Sequence, residues 1–137
     1  MVQITAYQAA HFDGVKALWE IVFPDDPPRN RADAAIPEKL KVQGELFFVA
    51  LKEGRVIGTT MAGYDGHRGW LYSVAVHPDH RRDGIGSQLL RAAEAKLASM
   101  GCRKLNLQIR AGNEAVTAFY AAHGYAVEER VSMGKQL

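Results

Sequence analysis

The chain reads VAVHPDHRRDGIGS from Val74 to Ser87, and this stretch decides how the rest is interpreted. Its apolar start predicts the end of a strand, its polar middle predicts a loop, and its last residues open a long helix. The free N–H groups and the dipole at a helix N-terminus favour a bound anion. Gly84 and Gly86 let a pyrophosphate approach the backbone, and Arg81 and Arg82 add positive charge. The stretch therefore predicts a phosphate-binding loop.

The simpler alternative is that the two glycines only shape a tight turn and that the two arginines are solvated. A Walker A loop is excluded because no Gly-Lys-Ser/Thr follows the glycines. A dinucleotide fingerprint also fails, since Leu89 stands where Gly or Ala closes that motif, and no strand with a ribose-binding acid follows at the expected distance. The expected anion is therefore neither ATP nor NAD.

Hydrophobic periodicity predicts the elements on either side of this loop. Before it we expect a strand over residues 2–7 and a helix buried through Val15, Leu18, Trp19 and Val22. A second helix is expected over Asp33 to Val42, with Pro37 in an early turn. Three antiparallel strands should follow, Leu46 to Leu51, Val56 to Tyr64 and Trp70 to Val76. After it we expect a helix from Ile85 to Met100 closed by Gly101, and then a parallel strand from Leu105 to Ile109. A last helix should be capped by Asn113 and ended by Gly124. Strands Tyr125 to Glu128 and Val131 to Lys135 are expected at the end of the chain.

Composition sets limits on the class of protein. With 137 residues, 47% hydrophobic and 23% charged, the chain is expected to form one domain over residues 1–137. A net charge of +2 is too balanced for a protein whose main partner is nucleic acid or an anionic membrane. The single Cys102 and the lack of clustered metal ligands argue against disulfides and bound metal. No apolar run or leader pattern suggests export, so a cytoplasmic location is expected.

Two motifs carry a resemblance to a known family. Arg81 to Gly86 is similar to the motif Q/R-x-x-G-x-G/A of the GNAT N-acetyltransferases. The segment from Asn113 to Tyr125 resembles the second signature of that family, N-x-x-A-x-x-x-Y-x-x-x-G-F/Y, with Val116 in place of the usual alanine. The connection from Gly63 to Gly69 looks like that of the small bacterial YpeA-like branch. The resemblance implies an α/β fold of GNAT type, with a mixed, mostly antiparallel central sheet flanked by helices in the order β-α-α-β-β-β-α-β-α-β-β.

The resemblance also implies acetyl-CoA as donor, with its pyrophosphate at the backbone N–H groups of residues 82–87. Its pantetheine arm would pair with the edge of the strand at Val74 to Val76, where one N–H would polarise the thioester carbonyl. Asn113 would hydrogen-bond the same arm. The cofactor-binding residues expected on this basis are Val74, Ala75, Val76, Arg81, Arg82, Asp83, Gly84, Ile85, Gly86, Ser87 and Asn113.

Tyr120 is the catalytic residue that the resemblance implies, as the acid that protonates the departing CoA thiolate. A phenol with a pKa of about 10 can donate to a thiolate whose conjugate acid has a pKa near 8.5. The alternative is a core aromatic on the apolar helix face, a role that the neighbouring Phe119 fits better. A merely binding protein needs no proton donor at the sulfur, so Tyr120 favours an enzyme.

The general base is not identified by the sequence. The strand from Trp70 to Val76 contains no carboxylate, although Tyr72 and Ser73 could hold a water molecule. Other candidates, each with a structural alternative, are Glu20, Tyr64, Asp65, His67 and His77. The His77 side chain could simply cap the strand, and the residues from 64 to 68 could serve only the hairpin.

The predicted function is transfer of an acetyl group from acetyl-CoA to a primary amine of a small molecule or peptide, by direct attack. Two other functions stay open, a non-catalytic acyl-CoA-binding regulatory module and a nucleotide-phosphate-binding module. An RNA-binding patch is disfavoured because Asp79 and Asp83 flank the arginines. Cys102 is interpreted as a small hydrophobe, since direct attack needs no nucleophile of the protein. A homodimer is compatible with this reading, and acceptor, oligomeric state and pathway do not follow from the residues.

Overall fold

The computed structural model describes residues 1–137, which form two compact units, residues 1–107 and residues 108–137. The first unit contains β1 (Val2–Ala6), α1 (Phe12–Val22), α2 (Ala32–Lys41), β2 (Phe47–Lys52), β3 (Arg55–Tyr64), β4 (Gly69–Val76), α3 (Ile85–Ser99) and β5 (Leu105–Leu107). The second unit contains α4 (Glu114–Ala121). No helix is both long and apolar enough to cross a membrane.

The five strands form one sheet in the order β1-β2-β3-β4-β5. The first four are antiparallel to their neighbours, and β5 runs parallel to β4. The connection from β4 to β5 passes through α3, as expected for a parallel crossover. The prediction of a mixed, mostly antiparallel sheet flanked by helices is confirmed.

The side chains of β2 alternate between the two faces of the sheet, and different helices cover them on each face. Phe47 and Val49 are fully buried in a cluster with Val15 and Leu18 of α1 and Ile36 of α2. Ala50 belongs instead to a cluster with Ile85 and Leu89 of α3. Because successive side chains of a strand point to opposite faces, α1 and α2 cover one face of the sheet and α3 covers the other.

A β-bulge interrupts β4 near its middle. Thr59 pairs with Ala75, but Met61 pairs with Tyr72, so β4 has one more residue than β3 over this interval. Ser73 adopts a φ of 51°, in the left-handed region that residues with a side chain rarely enter. The bulge therefore fixes a strained residue immediately before Val74.

Three details differ from the sequence-based expectations. Pro37 is the sixth of ten residues in α2 and not in an early turn, which is tolerated because the carbonyl that loses its donor belongs to the exposed Asp33. Strand β5 ends at Leu107 and does not reach Ile109.

The third difference is at the C-terminus, where the strands expected at 125–128 and 131–135 do not form. The side chains of Val127, Val131 and Met133 are 86% to 93% exposed. A short segment with neither a buried face nor a paired neighbour has nothing to stabilise it as a strand.

Candidate active site

The first turn of α3 stands directly after the loop predicted to bind phosphate. Gly84 begins the helix in the left-handed region, with a φ of 75°. The N–H of Gln88 donates to the Gly84 carbonyl at 3.1 Å, so Ile85 and Gly86 precede the helical hydrogen-bond ladder. Ile85 is buried and Gly86 is half-buried. The predicted anion site is thus a glycine-opened helix N-terminus.

Gly58 of β3 sets the distance between α3 and the sheet. A Cβ atom at this position would lie 2.9 Å from Leu89 Cδ1, 3.2 Å from Ile85 Cγ2 and 3.1 Å from the Ala75 carbonyl oxygen. Only a residue without a side chain permits this approach. The start of α3 is therefore held close against β3 and β4.

The loop between β4 and α3 is fixed by its own hydrogen bonds. His77 Nδ1 accepts from the Asp79 N–H at 3.1 Å, so the His77 side chain caps the short 3-10 turn after β4 and not the strand itself. The Asp83 N–H donates to the His80 carbonyl at 3.3 Å and so serves the turn. Arg81 Nε donates to the Val76 carbonyl at 3.2 Å, so this arginine is tied to the end of β4. The backbone of the loop is thus shaped before any ligand arrives.

Part of the β4 edge has no neighbouring strand. Strand β5 pairs only with residues 69–71, and residues 72–76 continue beyond it. The His77 N–H donates to the Ile57 carbonyl on β3 at 2.8 Å. Since N–H groups alternate along a strand, those of Val74 and Val76 face the opposite edge. This edge lies next to the start of the phosphate loop and offers backbone groups to an extended ligand.

A buried chain of hydrogen bonds supports the bulge. Trp19 Nε1 of α1 donates to Thr59 Oγ1 at 2.9 Å, and Thr59 Oγ1 donates to the Ser73 carbonyl at 3.0 Å. Thr59 is fully buried. The spacing of Trp19 predicts a core residue, but no sequence pattern indicates these hydrogen bonds. They hold the backbone at Ser73 from the side opposite the ligand edge.

Replacement of Thr59 by Val keeps the shape of the side chain and removes this chain. The Trp19 N–H and the Ser73 carbonyl then lose their buried partner, so we expect a loss of about 1 to 3 kcal/mol in the free energy of unfolding. Denaturant titration measures the change, and Thr60→Val is the matched control because the Thr60 hydroxyl is buried without a partner. Equal losses in both variants would contradict the supporting role of Thr59.

The remaining two predicted site residues lie in the second unit. Asn113 caps α4, where its Oδ1 accepts from the Val116 N–H at 3.3 Å. Tyr120 follows seven residues later, which places it on the same side of the helix. Its ring makes edge contacts with those of Phe119 and Tyr125 at centroid distances of 5.1 and 5.5 Å. The two residues therefore share one face of α4.

Tyr120 is the most buried side chain of the second unit, at 7% exposure. Phe119 is only half-buried, so the expectation that Phe119 is the core aromatic was wrong. Its ring packs at the surface against His123, with 4.6 Å between centroids. Burial raises the pKa of Tyr120 to about 12, because the phenolate loses its hydration. The Tyr120 hydroxyl therefore remains protonated through the physiological range.

The candidate bases occupy different surroundings. Asp65 Oδ1 accepts from the N–H groups of His67 and Arg68, both at 2.7 Å, and these bonds hold the pKa of the carboxyl below its ordinary value. Asp65 thus closes the hairpin turn and is a weak base. Glu20 is exposed on α1.

Tyr72 and Ser73 lie together in a cleft of about 290 Å³ in the first unit. The cleft, called here the α2–β4 cleft, is lined by Arg29, Asn30, Ala35, Glu38, Lys39, Val42, Met61, Tyr72 and Ser73. Arg29 and Lys39 are not among the residues expected from the sequence to lie at the site. A signal existed for Lys39, which follows the buried Ile36 by three residues and so falls on the inward face of α2.

Arg81 is expected to contribute charge at the loop more than shape. We predict that Arg81→Ala weakens acetyl-CoA binding less than a branched side chain at Gly86 does. It should also flatten the salt dependence of the Kd, because a charge near the expected phosphates is lost. Isothermal titration at several salt concentrations measures both effects. Arg55→Ala, at an exposed position of β3, is the control. Equal salt slopes for Arg81→Ala and the parent would count against the assignment.

Comparison with known proteins agrees with this architecture. The acetyltransferase (GNAT) family model matches residues 12–125. An acetyltransferase of Yersinia enterocolitica is 37% identical over 139 residues, covering 99% of this chain and 96% of that protein. An acetyltransferase of Sodalis glossinidius is 38% identical over 140 residues with the same coverage. The chain therefore belongs to the GNAT family and is an acetyltransferase.

Solved structures share the fold at lower identity. The aminoglycoside acetyltransferase AAC(6')-Iy, in complex with a bisubstrate analogue of CoA and acetylneamine, is 22% identical with a TM-score of 0.84, covering 100% of this chain and 99% of its own. The ribosomal-protein-S18-alanine N-acetyltransferase of Escherichia coli is 24% identical with a TM-score of 0.74, covering 90% of this chain and 77% of its own. The GNAT fold predicted from the two motifs is confirmed.

Proposed function

We propose that the protein transfers an acetyl group from acetyl-CoA to a primary amine by direct attack. The observation that carries this proposal is the free edge of β4 at residues 72–76, which runs into a glycine-opened helix N-terminus. A ligand with an extended amide arm and a pyrophosphate fits both features at once. ATP and NAD have phosphates but no such arm.

The donor half of the site uses backbone groups. The N–H groups at the start of α3 receive the pyrophosphate, and Arg81 and Arg82 add charge beside it. The arm pairs with the outward N–H groups of Val74 and Val76, and the family resemblance assigns the same arm a side-chain hydrogen bond from Asn113. One N–H of this strand donates to the thioester carbonyl oxygen and polarises the carbonyl. This hydrogen bond strengthens as negative charge develops on the oxygen.

The chemical step needs no covalent intermediate on the protein. The nitrogen of the neutral amine attacks the thioester carbon, and collapse of the tetrahedral intermediate breaks the C–S bond. The departing sulfur takes the proton of Tyr120, the amide nitrogen loses its extra proton to water, and the Tyr120 phenolate regains a proton from water. With a pKa of about 12 for Tyr120, the transfer to a free thiolate is uphill by about 5 kcal/mol, compared with about 2 for an ordinary phenol. The proton therefore moves as the C–S bond breaks.

The similar solved structures support an amine as acceptor. One acts on aminoglycosides and another on the alanine of a ribosomal protein. We assign the acceptor to the α2–β4 cleft because Ser73, which lines it, directly precedes the strand segment proposed to hold the thioester.

Two measurements test the proposal. Isothermal titration with acetyl-CoA, ATP, GTP and NAD should show tight binding of acetyl-CoA alone. Release of free CoA thiol should then accompany acetylation of at least one amine in a panel of small amines, peptides and antibiotics. Tight binding without turnover would favour the regulatory module, and preferential binding of ATP, GTP or NAD would contradict the proposed donor site.

A further inference from the structure

The α2–β4 cleft contains an unusual buried lysine. Lys39 is 6% exposed, and its Nζ donates to the Ala62 carbonyl. The same Nζ lies 5.5 Å from the centroid of the Tyr72 ring. No carboxylate lies within 4.0 Å of it. A buried ammonium normally has a carboxylate partner, so this one is poorly compensated within the protein.

Two features of its surroundings shift the pKa of Lys39 in opposite directions. Burial lowers the pKa of the ammonium, and the Glu45 carboxylate opposes this shift from beyond ion-pair distance. A carbonyl and an aromatic face stabilise a cation weakly compared with a direct anion. An anionic group brought into the cleft would supply the partner that the protein lacks.

The charge of the remaining lining agrees with this reading. The cleft has two cations, Arg29 and Lys39, and one carboxylate, Glu38. Glu38 Oε1 lies 3.2 Å from Lys41 Nζ, so its charge is already partly balanced. A polycationic acceptor would meet like charges here, and an anionic one would meet opposite charges.

The size and apolar lining of the cleft further limit the kinds of acceptor that fit it. About 290 Å³ corresponds to a small ligand of amino-acid or short-peptide dimensions. Val42 and Tyr72 are 63% and 43% exposed on its walls, and the buried Met61 also lines it. These side chains offer apolar contact beside the two cations.

Building on the proposed function, we infer that the α2–β4 cleft binds a small primary amine that also carries a carboxylate, and that Lys39 and Arg29 recognise the carboxylate. The Lys39 ammonium donates to it from the buried end of the cleft. The exposed Arg29 guanidinium adds a second, solvent-screened contact.

Matched pairs of acceptors test this inference. We would measure kcat/KM, per unprotonated amine, for leucine, γ-aminobutyrate and leucylglycine against their amides, with spermidine and an aminoglycoside as polycations. At least one acid should exceed its amide by tenfold or more, and the polycations should be poor acceptors. Equal values in every pair, or a preference for the polycations, would overturn the inference while leaving acetyl transfer intact.

Variants identify the residues responsible. Lys39→Met keeps the length of the side chain, removes the charge and should reduce the preference for the acid about tenfold. Arg29→Gln, at an exposed position, should reduce it about threefold. Arg55→Gln removes the same charge outside the cleft and should leave the preference unchanged. A preference that survives both cleft variants would contradict the roles of Lys39 and Arg29.

Two further measurements cover a Lys39 variant that does not fold and a protein that acetylates none of the amines. If Lys39→Met fails to fold in thermal unfolding, Arg29→Gln alone decides, since its side chain is exposed. If no amine is acetylated, the proposed function fails. Isothermal titration of the acids and amides to the CoA-loaded protein then decides whether the cleft still selects a carboxylate.

Discussion

Replacement of Tyr120 by Phe is expected to lower kcat by roughly 10²-fold, a usual effect of losing a general acid, while the Kd for acetyl-CoA stays within a few fold. The substitution preserves the aromatic packing with Phe119 and Tyr125 and removes only the hydroxyl. The thiolate must then leave without a proton. Steady-state and single-turnover rates, with titration of acetyl-CoA, separate chemistry from binding.

Tyr7→Phe provides the matched control, because it also removes one phenolic hydroxyl but lies in the first unit next to β1. Its kcat should equal that of the parent. If Tyr120→Phe leaves kcat unchanged while chemistry is rate-limiting, Tyr120 is only a core aromatic and its assigned role is wrong.

The raised pKa of Tyr120 gives this variant a second readout. A folded-state pKa of about 12 exceeds the unfolded value near 10, so the stability from the buried neutral phenol is present below pH 10. It is lost as the pH rises toward 12, by about 3 kcal/mol in total. Tyr120→Phe should show a smaller loss over the same range in denaturant titrations. Parallel losses in both proteins would contradict burial as the cause of the shift.

Replacement of Gly86 by Val should weaken acetyl-CoA binding by at least tenfold, or about 1.4 kcal/mol. Gly86 is the second residue of α3 and precedes the first helical hydrogen bond. A branched side chain there occupies the space through which the pyrophosphate reaches the backbone. Isothermal titration of acetyl-CoA measures the effect.

The control for this variant is Ala95→Val, an exposed position later in the same helix. It also introduces a valine into α3 but lies away from the loop. Its Kd should match that of the parent. Unchanged affinity in a folded Gly86→Val protein would remove the α3 N-terminus from the donor site.

The sequence predicts the elements well wherever a period repeats. The apolar positions of α1 and α3 recur every three or four residues, and those of β1 alternate, so the burial of Leu18, Trp19 and Leu89 follows from spacing alone. The glycine-opened start of α3 was also predictable, because glycines between a strand and a helix have a local physical meaning. The family resemblance added the donor and Tyr120, which periodicity alone would have left as a core residue.

Features that depend on distant contacts were not predictable. The bulge at Ser73 is marked by no glycine, asparagine or aspartate, the usual residues at a positive φ. Its backbone is supported by Thr59 and Trp19 from other elements. The C-terminal strands have suitable residues, but pairing depends on a neighbouring edge that no local pattern reveals. Lys39 is a further case, because its burial at an inward position of α2 depends on the Ala62 carbonyl of β3.

The free edge of β4 also determines how the donor would divide its binding energy. Without ligand, water hydrates the outward N–H groups of Val74 and Val76, and the pantetheine amides carry water of their own. Pairing exchanges these bonds, so each adds only about 0.5 to 1.5 kcal/mol. In the proposed site, the strand-like contact would therefore set the register of the thioester along β4, and the charged loop would supply most of the affinity. Selectivity for the acyl chain would then depend on the edge of β4 and strength of binding on the loop before α3, and each could change in evolution without the other.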